Sequence, residues 1–340
     1  MQQMSKHPSV GVIVPNHSRI ESLLETLDSI RAQDYTGEIN VYLVYLQRAE
    51  VADVISRLSP DVVAIPTTAM GLGTKRNIGL DAAGEELIAF TDDDDLWHPA
   101  KLRLQVEAMA RSGAVASCTR YVSFSRVPFT WPTLAQDVSA VRRVSERQIA
   151  FSSTIVVSSM VCDGPLVRSL RFTERADWRG VEDLHLWLRL HEHGEIVCLD
   201  DALTAMRIDH SSLSARGHAT QELHALNVLA DWHRAGSRGW VSMVGLVRRT
   251  IDSAIAKPGP DGEKDLHLLL MTYNGSLIGR RADGLVVAAV RAGWRSRIIT
   301  PLLRWIRRQE YKLRLALMPR APMYFIDASA REAQWGRDEK

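Results

Sequence analysis

The stretch ELIAFTDDDDLWHP at residues 86–99 sets a short apolar run against four consecutive aspartates, and the fold reads outward from it. Leu87, Ile88, Ala89 and Phe90 suit a strand buried on both faces, the kind that belongs to a parallel sheet covered by helices. Two carboxylates about 5 Å apart repel by roughly 3 kcal/mol at an effective dielectric of about 20. Such a run persists either on a solvated turn or where a cation neutralises it, as hard divalent ions do through carboxylate oxygens. Its place at the carboxyl end of a buried strand favours the second setting, because open α/β sheets take their ligands at that edge. If the chain stays extended beyond Phe90, Asp92 and Asp94 share one face and Asp93 and Asp95 the other.

The sequence before this run alternates strand and helix patterns. VGVIV at 10–14 is a buried-type strand ending at Pro15. Ser18 and Glu21 have the spacing of a capping box, and Ile20, Leu23, Leu24, Leu27 and Ile30 form one stripe of a helix from about residue 18 to 32. A second strand is expected at 39–46, a short helix at 51–58, a third strand at 61–65 and a helix at 74–83. Pro99 is placed for the first turn of an amphipathic helix reaching about Ser112. This alternation implies an α/β fold with a mostly parallel central sheet flanked by helices. Residues 114–220 are less regular: a strand at 115–124, a loop with Pro128 and Pro132, an apolar stretch at 155–161 and a helix from Glu182. Helical patterns dominate from 221, so the boundary between a main domain (1–220) and a helical carboxyl-terminal region (221–340) is expected near 220.

The whole chain narrows the function classes. Its 340 residues, 46% hydrophobic and 24% charged, are ordinary for a soluble globular protein. A formal net charge of +2 gives no global nucleic-acid character. Cys118, Cys162 and Cys198 are widely spaced and form no CxxC pair, which argues for a reducing, cytoplasmic setting and against structural zinc. No apolar leader opens the sequence and no apolar run is long enough to span a bilayer, so neither a signal peptide nor a transmembrane helix is expected.

Five ordered segments then make the chain similar to the family-two glycosyltransferases of the GT-A fold. They are VGVIVPNHSR (10–19), GLGTKRNIGLDAAGEELIAFTDDDD (71–95), LWHPAKLRLQ (96–105), VEDLHLWLRLHEHG (181–194) and RIDHSSLS (207–214). The resemblance implies a donor half at about 8–112 and an acceptor half at about 113–220. It also implies an inverting, metal-dependent transfer of sugar from a nucleoside diphosphate donor, a UDP-sugar among the candidates, to a hydroxyl on a glycan, lipid-linked or natural-product acceptor. Carried over by motif, Pro15, Asn16, Gln47, Lys75, Arg76, Asn77, Asp92 and Asp93 would bind the donor. Asp94, with Asp92 and His210, would hold Mn²⁺ or Mg²⁺, and Asp93 and Asp95 could also shape the loop by hydrogen bonds. Asp183, with Glu182 beside it, would be the catalytic base. Its place at a helix start equally suits an ordinary helix-dipole role, and that dipole would lower its pKa. Trp178 could stack on an acceptor sugar or simply pack.

Departures from the pattern matter as much. The family carries aspartate after its second strand, where this chain reads YLQRAE at 45–50 and offers Gln47, so the uridine preference is open. A degenerate, non-catalytic sugar-binding relative is one alternative. A sugar-phosphate nucleotidyltransferase is another, although PNHSRIES lacks the Gly-rich, Arg-containing loop that enzyme needs. Residues 291–320 hold nine Arg or Lys against Glu310, with Trp294 and Trp305 interleaved. Such a helix suits peripheral contact with an anionic membrane, or packs on the catalytic domain with its arginines solvated. No nucleic-acid module accompanies the charge.

Overall fold

The computed structural model describes residues 7–17, 19–48, 62–125, 127–134, 140–152 and 155–208, with residues 224, 225, 228, 229, 231 and 232 beyond them. The chain divides into two compact units, Met1–Gly217 and His218–Lys340. In the second, the described residues are helical, and Ala225, Val228, Leu229 and Trp232 are buried. The expected helix at 51–58 and the basic segment 291–320 lie outside the described residues.

The first unit is built on a nine-stranded sheet. Its elements run β1 (Val10–Asn16), α1 (Ile20–Arg31), β2 (Ile39–Leu46), β3 (Val62–Thr67), α2 (Leu72–Ala82), β4 (Leu87–Phe90), β5 (Leu96–Trp97), α3 (Lys101–Ser112), β6 (Ala116–Phe124), β7 (Val141–Val144), α4 (Glu146–Ser152), β8 (Val161–Asp163), α5 (Gly164–Leu170), α6 (Glu182–His193) and β9 (Ile196–Arg207). The order across the sheet is β3-β2-β1-β4-β8-β6-β9-β5, with β7 also on β9. Strands β3, β2, β1 and β4 are parallel, with Val10 opposite both Ile39 and Leu87. Antiparallel β8 then joins β4 to β6. β6 runs parallel to β9, whose two halves pair antiparallel with β7 and β5. The sheet is thus a parallel half fused to a mixed half.

Period-two alternation explains the layers. Val10, Val12 and Val14 face Leu23, Leu27 and Ile30 of α1 and Leu102, Val106 and Met109 of α3 in one core. Ile13 points the other way, against α2, where a Cβ on Gly79 would stand 2.5 Å from its Cγ2. Glycine is what lets that helix lie so close to the sheet. β4 is buried at every position, as its unbroken apolar run requires. Arg120 of β6 and Arg142 of β7 both reach Asp200 of β9, at 3.0 and 2.8 Å, and tie the mixed half together.

Helix α1 begins at Ile20 with Arg19 at the N-cap, and Ser18 of the expected capping box lies outside the described residues. Helix α3 begins at Lys101 behind Ala100, leaving Pro99 in the turn ahead of it, where its carbonyl accepts from the Asp34 N–H at 2.9 Å.

Candidate active site

The chain does not stay extended after β4. It turns at Asp93 and Asp94, and the four aspartates diverge to separate partners instead of alternating on two faces. Asp92 receives the Arg76 guanidinium at 2.7 Å. Asp93 accepts from the Asn16 side-chain amide at 2.7 Å and from the His17 N–H at 3.3 Å. Asp94 is ion-paired with Arg19. Asp95 accepts from the Ser158 hydroxyl at 2.5 Å and the Arg207 N–H at 3.0 Å. Ser158 also accepts from the Asp92 N–H at 3.0 Å, and Arg207 Nε donates to the Asp94 carbonyl at 3.0 Å. The loop is therefore fixed by residues far away in sequence. Burial pushes the Asp93 carboxyl up to about 6 and the Asp95 carboxyl up to about 7, and in both the charge of Asp92 adds to the shift.

Lys75, Arg76 and Asn77 are all buried, on the inward side of α2. Lys75 Nζ donates to the Asn16 carbonyl at 2.7 Å. Asn77 exchanges hydrogen bonds with the backbone of Phe172, both at 2.9 Å, and reaches Glu174 at 2.8 Å. Arg76 spans the site: one nitrogen lies on Asp92 and another 3.4 Å from Glu182 on α6, with the Phe172 ring beneath its guanidinium. Lys75 and Asn77 thus bond the protein itself, at the Asn16 carbonyl and at Phe172 and Glu174.

Glu182 is buried and accepts from the Gly180 N–H at 2.6 Å as well as from Arg76. Asp183 is half-buried, accepts from the Leu184 N–H at 2.8 Å and lies within electrostatic reach of both Arg76 and Asp92. Its pKa goes opposite to the dipole-based expectation. Burial, helped by the charge of Glu182, pushes it up to about 6 against the pull of Arg76 and the backbone N–H. Trp178 does not offer a sugar-stacking face. It is only 3% exposed, its ring under the Arg175 guanidinium and against His185.

Pro15 is buried within β1, opposite Val44. Asn16 is fully buried, and its Oδ1 has no partner among the described residues. Gln47 is exposed at the end of β2, its N–H held by the Thr67 carbonyl at 2.9 Å. His17 sits among Lys75, Arg48 and Arg19, and burial together with these cations holds its pKa below the usual histidine range. His210 lies outside the described residues. Arg19, Ser158 and Arg207 were not legible as site residues.

Among the described residues no three His, Cys, Asp or Glu side chains form a ready metal cluster. Mg²⁺ commonly needs only one or two carboxylates, taking its remaining ligands from substrate phosphate and water. Asp94 already carries a cation, the Arg19 guanidinium, so its carboxylate fits such a role.

The profile of "Glycosyl transferase family 2" matches residues 11–162. The amylovoran biosynthesis glycosyltransferase AmsB of Erwinia amylovora is 27% identical over 180 residues, covering 51% of this chain and 57% of that protein. An uncharacterized glycosyltransferase of Nostoc sp. is 32% identical over 111 residues, 31% of this chain and 34% of its own length. The chain therefore spans less than two thirds of either relative. Among solved structures, TarS of S. aureus in complex with UDP-GlcNAc has a TM-score of 0.61 at 15% identity, covering 77% of this chain and 79% of that one. The mannosyltransferase PcManGT from Pyrobaculum calidifontis, in complex with GDP-Man and Mn²⁺, has a TM-score of 0.56 at 18% identity, covering 92% and 87%. At these identities the likeness is one of fold.

Proposed function

We propose that this chain, whose residues 11–162 match the glycosyl transferase family 2 profile and whose fold is like that of solved glycosyltransferases, is an inverting glycosyltransferase. It moves a sugar from a nucleoside diphosphate donor to a hydroxyl acceptor. The observation that supports this most is the Arg76 brace: by gripping Asp92 and Glu182 together it sets Asp183 beside the aspartate loop. Asp183 then takes the acceptor O–H proton while the acceptor oxygen bonds to the anomeric carbon and the carbon–phosphate oxygen bond breaks. One displacement from the opposite face inverts that carbon. A base with a pKa of about 6 is ionised at neutral pH and still basic enough to accept a proton late in the displacement.

A divalent ion, where bound, would sit on Asp94 with Asp92 at its side and stabilise charge on the leaving diphosphate. The likeness to proteins solved with UDP-GlcNAc and with GDP-Man supports a nucleotide-sugar donor, and Gln47 leaves the choice of base to experiment. Thermal stabilisation by a panel of nucleotide sugars, with and without Mn²⁺, tests the reading. A shift that requires Mn²⁺ and is lost in Asp94→Ala supports it. No shift with any donor would instead favour a binding relative without donor chemistry.

A further inference from the structure

Arg19 is an unusual occupant of its position. As the N-cap of α1 it stands at the positive end of a helix, where a cation is disfavoured. Lys75, Arg48 and Arg19 gather their positive charges around His17. Asp93 lies within electrostatic reach of Lys75 and Arg19, but the ion pair of Arg19 is with Asp94, whose side chain is 13% exposed against 37% for that of Arg19. Asp94 is held in place through its own carbonyl by Arg207, whereas the more exposed Arg19 side chain has Asp94 as its hydrogen-bond partner.

Building on the transferase reading, we propose that Arg19 is an exchangeable counter-ion. It neutralises Asp94 in the free protein and moves onto the donor's diphosphate when a divalent ion takes its place on Asp94. A metal ion alone would take from Arg19 its ion-pair partner and leave it only the more distant charge of Asp93, and a diphosphate alone would strand Asp94. The two ligands together satisfy both groups, so each raises the affinity of the other. Reciprocity requires the same factor in both directions, in a range of about 5-fold to 150-fold for typical couplings.

Mn²⁺ binding by electron paramagnetic resonance, and UDP and GDP binding by calorimetry, test this without any turnover. Arg19→Ala is expected to bind Mn²⁺ without nucleotide at least about fivefold tighter than the wild type, and to show weaker coupling between Mn²⁺ and nucleotide. Arg19→Lys, which keeps the charge and loses the planar fork, should fall between them. Asp94→Asn should lose Mn²⁺ yet bind the metal-free diphosphate more tightly, and that gain should vanish in the Arg19→Ala/Asp94→Asn pair. Unchanged or weaker Mn²⁺ binding in Arg19→Ala, or a gain that survives in the double variant, overturns the exchange. If neither UDP nor GDP binds the wild type with Mn²⁺, the donor reading fails, and the Mn²⁺-only comparison still decides the role of Arg19.

Discussion

Lys101 shows how much a single buried group can cost. It is fully buried on α3, its Nζ lies 3.9 Å from the centroid of the Trp97 ring, and no hydrogen-bond partner reaches it among the described residues. Desolvation drives its pKa well below that of an ordinary lysine. Lys101→Met keeps the packing and removes the polar head, and it should stabilise the protein by about 1–3 kcal/mol in urea denaturation. Arg76 is the opposite case, a buried cation with two carboxylates on it. Arg76→Met leaves Asp92 and Glu182 uncompensated and should destabilise the fold by about 3–5 kcal/mol in the same measurement. Arg76→Lys cannot span both carboxylates with one planar fork and should rescue little. For the reaction, Asp183→Asn should keep donor binding and abolish transfer. In the wild type the transfer rate should fall as pH drops below about 6, where the base becomes protonated.

At the scale of elements, the loop between β4 and β5 is braced by the short helical turn Val157–Ser159 and by the end of β9. Ser158→Ala removes an acceptor for the Asp92 N–H and a donor to Asp95 together, and should cost about 1–3 kcal/mol in urea denaturation. Asp93 and Asp95 have folded pKa values of about 6 and about 7, raised from 3.8. The stability linked to these raised values is fully present below the ordinary carboxylate pKa and is lost as pH rises through the folded values. In metal-free buffer, the contribution of these two groups should therefore lower the melting temperature from about pH 4 to about pH 7, and less so in Asp95→Asn. Elements β1 to β4 were legible because each is an apolar run or a helical stripe bounded by Gly, Pro or acid. Elements β7, α4 and α5 were not: β7 reads VRRV, with two arginines where β4 has an unbroken apolar run, and the two helices are 7 residues each, about two turns. The aspartates and the Lys75-Arg76-Asn77 run stood out as motifs. Arg19, Ser158 and Arg207 did not, because their partners are 75, 63 and 112 residues away in the sequence.

For the whole molecule, one nine-stranded sheet carries the aspartate loop after β4, in its parallel half, and α6 ahead of β9, in its mixed half. No helix among the described residues is long and apolar enough to cross a membrane. The basic segment 291–320 makes a separate prediction. If it meets an anionic surface, the full chain should co-sediment with phosphatidylserine vesicles at low salt and be released at high salt, whereas a segment packed on protein would ignore the vesicles. The last strand among the described residues is β9, which ends at Arg207. Arg207 grips the aspartate loop through its amide and guanidinium, and Ile208 is moored to the Phe124 carbonyl at 2.7 Å. The order of the aspartate loop is thus set from the opposite half of the sheet, at the end of its last described strand.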